Sequence, residues 1–121
     1  MKLIILAGEN NSGKTTILKA LTTALQLKGA KSLKLTPVGN SDEDAEYELY
    51  YCGHKVVICT LGDYSDNLKN YCEQYKLADM LICATRKDFR KTNYTALSYD
   101  DMSTIIRLTC KVPCLSYPKI L

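Results

Sequence analysis

The stretch GENNSGKTT, residues Gly8–Thr16, decides the fold of this 121-residue chain. It meets the spacing G-x-x-x-x-G-K-[ST], with Gly8, Gly13, Lys14 and Thr15 at the four defined positions. Glycine permits backbone angles that a Cβ would forbid, so successive N–H groups can point inward at one anion. The stretch therefore predicts a loop that holds phosphate.

The residues on both sides of this loop give the context that the motif requires. Residues 1–7, which carry the apolar run LIILA, predict a strand buried on both faces. From Lys14 onward, apolar residues three and four apart predict a helix, and Gly29 is a natural stop for it. The order is strand, glycine loop, helix.

The other residue types in the loop suit a nucleotide. The Lys14 ammonium can reach the β and γ phosphates, and the Thr15 hydroxyl can ligate magnesium. The N-terminal end of the helix adds the positive end of its dipole. We expect the nucleotide to be bound by eight residues: Gly8, Asn10, Asn11, Ser12, Gly13, Lys14, Thr15 and Thr16.

On these residues the chain resembles the P-loop NTPase superfamily, in its branch of small ATPases and nucleotide kinases. The form GENNSGKTT is also similar to the loop of DNA-repair and chromosome-organising ATPases of the ABC type. Those proteins need a signature-bearing segment and a long insertion, for which 121 residues leave no room. The resemblance implies binding of a nucleoside triphosphate, with ATP the first choice, and Mg²⁺ as cofactor.

Beyond the first helix, the next segments predict β-structure. Residues 32–38 alternate polar and apolar side chains and predict a strand near a sheet edge, where Pro37 can be tolerated. Residues 39–46 are acidic and predict a loop without core residues. The run YELYYCGHKVVICT then predicts a hairpin that turns at Gly53.

The remaining segments predict alternating helices and strands. Asp66 is the expected N-cap of a helix, residues 80–84 form a buried strand, a third helix follows Ser98, and residues 112–117 form a last strand. Together the elements predict a single domain over residues 1–121. Its class is α/β: three layers with a mostly parallel sheet of about five to six strands, whose ligands bind at the carboxyl ends of the strands.

A P-loop enzyme needs an acid near the magnesium ion, usually at the end of a second buried strand. The candidate strand is KVVICTLGD, where Cys59 occupies the expected acidic position and Asp63 is the first carboxylate. Asp63 is therefore predicted to act on magnesium or as a base, and the alternative is that it only caps the next helix. Gly62 could offer its N–H to the γ phosphate.

A basic cluster follows the strand that ends at Ala84. In the segment ATRKDFRKT, Arg86 is nearest the strand and is predicted to contact phosphate, because guanidinium suits bidentate phosphate binding. The segment resembles the lid of small nucleotide kinases, and the alternative is a solvated surface loop. The predicted catalytic set is Lys14, Asp63 and Arg86, with Thr15 and Asp63 as metal ligands.

Composition limits the partners and the compartment. The net charge of +3 comes from dispersed basic residues and gives no case for nucleic-acid binding. Six cysteines, and no apolar run long enough for a membrane span, predict a cytoplasmic protein with reduced thiols. The expected partner is a nucleotide, and a second copy or another protein that completes the site stays open.

Three functional hypotheses remain from the sequence. The first is an NTPase or phosphotransferase, and the second is a nucleotide-binding switch or adaptor with little turnover. The third is a degenerate GTPase, because residues 59–62 (CTLG) keep only the glycine of D-x-x-G and residues 85–88 (TRKD) only approximate N-K-x-D. The order of elements speaks against the third.

Overall fold

The computed structural model describes residues 2–9, 12–39, 44–62, 65–87 and 103–108. These residues form one six-stranded sheet and two helices. In chain order the elements are β1 (Lys2–Gly8), α1 (Lys14–Leu27), β2 (Lys31–Pro37), β3 (Ala45–Tyr51), β4 (His54–Cys59), α2 (Ser65–Gln74), β5 (Met80–Arg86) and β6 (Ser103–Arg107).

The strands lie in the order β2-β3-β4-β5-β1-β6. Neighbours among β4, β5, β1 and β6 pair in parallel, whereas β3 is antiparallel to both β2 and β4. Because β3 runs the other way, its first residues lie at the same edge as the carboxyl ends of β4, β5 and β1. The loop that is predicted to hold phosphate, Gly8–Thr16, begins at this edge.

The prediction of a three-layer domain with a mostly parallel sheet was wrong. The sheet is mixed, since two of its five pairings are antiparallel, and the described residues are mostly strands, with six strands and only two helices. Strand β6 lies where the sequence predicts the third helix. Its residues Thr104, Ile105 and Ile106 are β-branched, and such residues favour strands. The strand predicted over residues 112–117 lies outside the described residues.

Several local predictions were confirmed. Strand β2 lies at a sheet edge, and the β3–β4 hairpin turns at Cys52 and Gly53, whose φ angles are 50° and 81°. Positive φ at both turn residues matches the twist of the two strands. The predicted acidic loop is shorter than expected, because Ala45 and Glu46 belong to β3 and are buried. The prediction that this segment lacks core residues was therefore wrong.

Two separate cores cover the two faces of the sheet, because successive strand residues point to opposite sides. The α1-side core is largely aliphatic and consists of Leu6, Leu18, Ala30, Leu49, Val56, Ile58, Ile82 and Ala84. The α2-side core is rich in cysteine and tyrosine and consists of Leu3, Ile5, Val57, Cys59, Leu68, Tyr71, Cys72, Tyr75, Ala78, Leu81 and Cys83.

Both helices have the predicted limits to within a residue or two. Gly29, with a φ of 106°, follows the end of α1, and the Ala30 N–H donates to the Leu25 carbonyl at 2.9 Å, which closes the helix. Helix α2 begins at Ser65, so Asp66 lies inside the helix and is not its N-cap. Neither of the two described helices is long and apolar enough to cross a membrane.

Candidate functional site

The phosphate loop has the predicted position between a buried strand and a helix. Strand β1 ends at Gly8, and α1 begins at Lys14 after Gly13, whose φ is 92°. A Cβ on Gly8 would lie 2.6 Å from the Ser12 Oγ atom, so a side chain there would require the Ser12 hydroxyl to move. Gly13 has no side chain and cannot cap the amide groups of the first turn of α1, which are then suited to an anion. Asn10 and Asn11 lie outside the described residues.

Lys14 is buried, with only 6% of its surface exposed. Its Nζ atom donates to the Gly8 carbonyl at 2.7 Å and to the Thr85 carbonyl at 2.9 Å. Lysine is almost never buried to this degree without partners, because desolvation of an ammonium is costly. The two carbonyls hold the charge at the carboxyl ends of β1 and β5, next to the loop.

Ser12 carries a buried polar group of a different kind. It is 2% exposed, and among the described residues its Oγ atom has no hydrogen-bond partner. A buried hydroxyl without a partner costs about 1–3 kcal/mol. Such a group inside a loop that suits phosphate is a hydroxyl that a bound oxyanion could satisfy.

Asp44 is a site residue that the sequence reasoning missed. Its Oδ1 atom accepts hydrogen bonds from the Thr15 Oγ1 at 3.2 Å and from the Thr60 Oγ1 at 2.9 Å. The Thr60 hydroxyl also accepts the Ala45 N–H at 3.0 Å. A carboxylate is thus brought to the hydroxyl that the sequence predicts as the magnesium ligand.

The expected acidic position at Cys59 points away from the loop. Cys59 belongs to the α2-side core and is fully buried, and burial raises the pKa of its thiol. Thr60, the next residue along the chain, faces the α1 side and meets Asp44 instead. The signal that could have found Asp44 is the hairpin itself, since an antiparallel β3 returns its first residues to the ligand edge.

The basic residues after β5 lie beside the start of the loop. Arg86 is paired in register with Gly8, and it is exposed. Lys87 forms an ion pair with Glu9, with a distance of 2.9 Å between Nζ and Oε1. Because both side chains of this pair are exposed, the pair contributes little stability, but it links the two chain segments that border the site.

Of the remaining predicted site residues, the structure describes Thr16 and Gly62 but not Asp63. Thr16 lies in the first turn of α1, and it is exposed. Gly62 packs so closely against β5 that a Cβ would lie 2.0 Å from the Ala84 carbonyl oxygen. Asp63 lies outside the described residues, so its predicted roles as acid and metal ligand stay predictions.

The donor atoms at the loop fit a hard cation that also has phosphate ligands. Within the described residues, no group of three or more His, Cys, Asp or Glu side chains could hold a metal ion alone. The Thr15 hydroxyl and the Asp44 carboxylate are oxygen donors, and Mg²⁺ is commonly bound by one or two carboxylates together with water and substrate phosphates. The site therefore suits a metal that arrives with a nucleotide.

Comparisons with known proteins give one partial similarity. No family model and no solved structure matches the chain. The chain is similar to the DNA replication and repair protein RecF of Rickettsia typhi (strain ATCC VR-144 / Wilmington), with 38% identity over 69 residues. The similarity covers 54% of this chain but only 18% of RecF. It points toward the P-loop superfamily and no further.

Proposed function

We propose that the chain binds ATP, as its magnesium complex, at the loop Gly8–Thr16. The buried ammonium of Lys14 carries this proposal. Two of its partners are backbone carbonyls, which are neutral dipoles, and the phosphate groups of a nucleotide would offer the ammonium formal negative charge at the same edge of the sheet. The partial similarity to RecF supports ATP binding at most, so magnesium and turnover are further parts of the proposal.

The surroundings of the loop support the same ligand. The hydroxyl of Ser12 is buried without a partner among the described residues, and the first turn of α1 contains no acidic side chain. Arg86 lies level with Gly8 on the neighbouring strand. An anion at this position would gain a helix N-terminus, an ammonium and a hydroxyl.

Turnover is the second part of the proposal. Lys14 and Arg86 would neutralise charge on the phosphates, and Asp63 is the predicted base. The alternative is a nucleotide-binding switch with little hydrolysis, and the orientation of Cys59 away from the loop favours it, because Cys59 stands where the acid of β4 is expected. Phosphate release from Mg-ATP, compared with that of a Lys14→Ala variant, distinguishes the two functions.

The test of binding is a calorimetric titration of the chain with ATP in the presence of Mg²⁺. We expect Lys14→Ala to bind about ten- to hundredfold more weakly, since charged hydrogen bonds contribute roughly 1.5–3 kcal/mol each. Lys28→Ala is the matched control, because Lys28 is exposed at the far end of α1 and should bind ATP like the wild type. Equal affinities for the wild type and Lys14→Ala would contradict the proposal.

The same titration with GTP tests which nucleobase the site prefers. The sequence gives only the approximate segment TRKD for guanine recognition. We therefore expect no preference for GTP over ATP, and a strong preference for GTP would restore the GTPase hypothesis.

A further inference from the structure

We infer that Asp44 is the positioning residue for the magnesium ion of the nucleotide complex, in place of an acid at the end of β4. This inference rests on the proposed function, because the ion would arrive with ATP. It assigns a role to the residue just before β3, which no loop motif contains.

The hydrogen bond between Thr15 and Asp44 carries the inference. The Thr15 hydroxyl has one proton, and it donates this proton to Asp44 Oδ1 at 3.2 Å. With the proton held there, the lone pairs of Thr15 Oγ1 are left for a cation. A carboxylate in this position orients a metal ligand and raises its basicity.

The position of Asp44 is fixed by the sheet and does not depend on the loop. The Thr60 hydroxyl donates to the same Oδ1 atom at 2.9 Å and accepts the N–H of Ala45 at 3.0 Å. The backbone N–H of Thr60 donates to the Ala45 carbonyl at 3.1 Å, which continues the β3–β4 ladder. Asp44 is therefore held against the end of β4 and faces Thr15 from there.

The same arrangement explains why Cys59 can replace an acid. Cys59 is fully buried in the α2-side core opposite Glu46, its partner in register, so a second carboxylate at this position would be buried beside a like charge, which is costly. One residue later, Thr60 turns to the other face and donates a hydrogen bond to Asp44, the residue just before β3. The site thus keeps a carboxylate next to Thr15 although the end of β4 has none.

The test compares the Mg²⁺ concentration that half-maximally tightens ATP binding in three proteins: the wild type, Asp44→Asn and Asp79→Asn. Asp79 is the matched control, since it lies just before β5 at the opposite edge of the sheet, where its carboxylate accepts the Lys55 N–H at 2.8 Å. We expect Asp44→Asn to need about 10- to 100-fold more Mg²⁺. In EDTA its affinity for ATP should be no weaker than that of the wild type, because without the cation the Asp44 carboxylate only repels the phosphates.

The outcomes separate the inference from the proposed function. If Asp44→Asn needs the same Mg²⁺ as the wild type, Asp44 has no positioning role, although the chain still binds ATP. If Mg²⁺ does not tighten ATP binding to the wild type, the inference also fails. If the wild type binds no ATP with or without Mg²⁺, the proposed function fails and the inference fails with it.

A second measurement needs no substitution. Fe²⁺ added with ATP, ascorbate and peroxide replaces Mg²⁺ and cleaves the backbone near the bound metal, and mass spectrometry locates the cuts. We expect ATP-dependent cuts around both Thr15 and Asp44, and excess Mg²⁺ should suppress them. Cuts around Thr15 without any around Asp44 would overturn the inference.

Discussion

The two faces of the sheet use the same strands for different chemistry. On the α1 side, β4 and β5 present Val56, Ile58 and Ile82, and the phosphate loop leads into the helix that covers them. On the α2 side, the same two strands present Cys59 and Cys83, which pack with two tyrosines of and just after α2. The alternation of side chains along each strand places the aliphatic residues on the α1 side and the cysteines on the α2 side.

This difference shows how a strand can serve a site and a core at once. Cys59 and Thr60 are neighbours in the chain, yet Cys59 packs under α2 and Thr60 bonds to Asp44 at the loop. Burial on the α2 side keeps groups such as the Cys59 thiol neutral. Lys14 and Asp44 lie beside the loop on the other side, whereas the buried carboxylate of Glu46 stays on the α2 side, where it accepts a hydrogen bond from Tyr75. Three predictions test this separation.

The largest effect is expected from removal of the leucine that anchors each helix. Leu18 of α1 and Leu68 of α2 are 2% and 1% exposed, and either change to alanine should lower the free energy of unfolding by about 2–5 kcal/mol. Only Leu18→Ala should also weaken ATP binding, because α1 carries Lys14 and Thr15. Urea denaturation and ATP titration measure the two effects. Equal loss of ATP affinity in both variants would show that the faces are not separate.

The second prediction concerns alkaline pH. Burial raises the pKa of the Cys59 and Cys83 thiols above the usual 9.0. Above about pH 9 the unfolded chain therefore loses thiol protons that the folded chain keeps. The free energy of unfolding is unaffected by these groups below that pH, and it falls above it by up to about 1.4 kcal/mol per pH unit for each thiol.

Cys83→Ala tests whether the buried thiols cause this loss of stability at alkaline pH. The variant should be less stable than the wild type at pH 7, because the substitution leaves a small cavity. Its stability should fall less steeply between about pH 9 and pH 11, where the thiol is ionised in the unfolded chain and still protonated in the folded chain. Val57→Ala is the matched control, since Val57 is equally buried in the α2-side core but has no proton to lose, so the variant should be less stable with an unchanged slope. An unchanged slope in Cys83→Ala would place the titrating groups elsewhere.

The loop could be predicted because its residues are contiguous. Gly8, Gly13, Lys14 and Thr15 each have a role that follows from spacing within one strand-loop-helix unit, and the structure has that unit where the sequence predicts it. Asp44 could not be found in this way. Its contact with Thr15 spans 29 residues and exists only because β3 pairs antiparallel to β4.

The errors in the fold have a similar cause. The spacing of Ile105 and Ile106 after Ser98 fits a helix, but pairing with β1 makes residues 103–107 a strand. Glu46 belongs to an acidic segment that predicts a loop, yet it is buried, and its carboxylate accepts a hydrogen bond from the Tyr75 hydroxyl. In both cases the structure depends on a contact with a residue or strand distant in sequence, and the local pattern of residues gives no information about that contact.

The smallest effect is expected at Ser12, where function and stability should move in opposite directions. The hydroxyl is buried without a partner among the described residues, so Ser12→Ala removes a polar group to which none of these residues bonds. We expect the free energy of unfolding without nucleotide to rise by about 1 kcal/mol. ATP affinity should fall several-fold, because the bound phosphate loses a donor. Ser32→Ala is the control, as Ser32 is exposed on the edge strand β2, and neither quantity should change there. A loss of stability in Ser12→Ala would mean that the hydroxyl already has a hydrogen-bond partner without nucleotide. The Ser12 hydroxyl would then not be available to a bound phosphate.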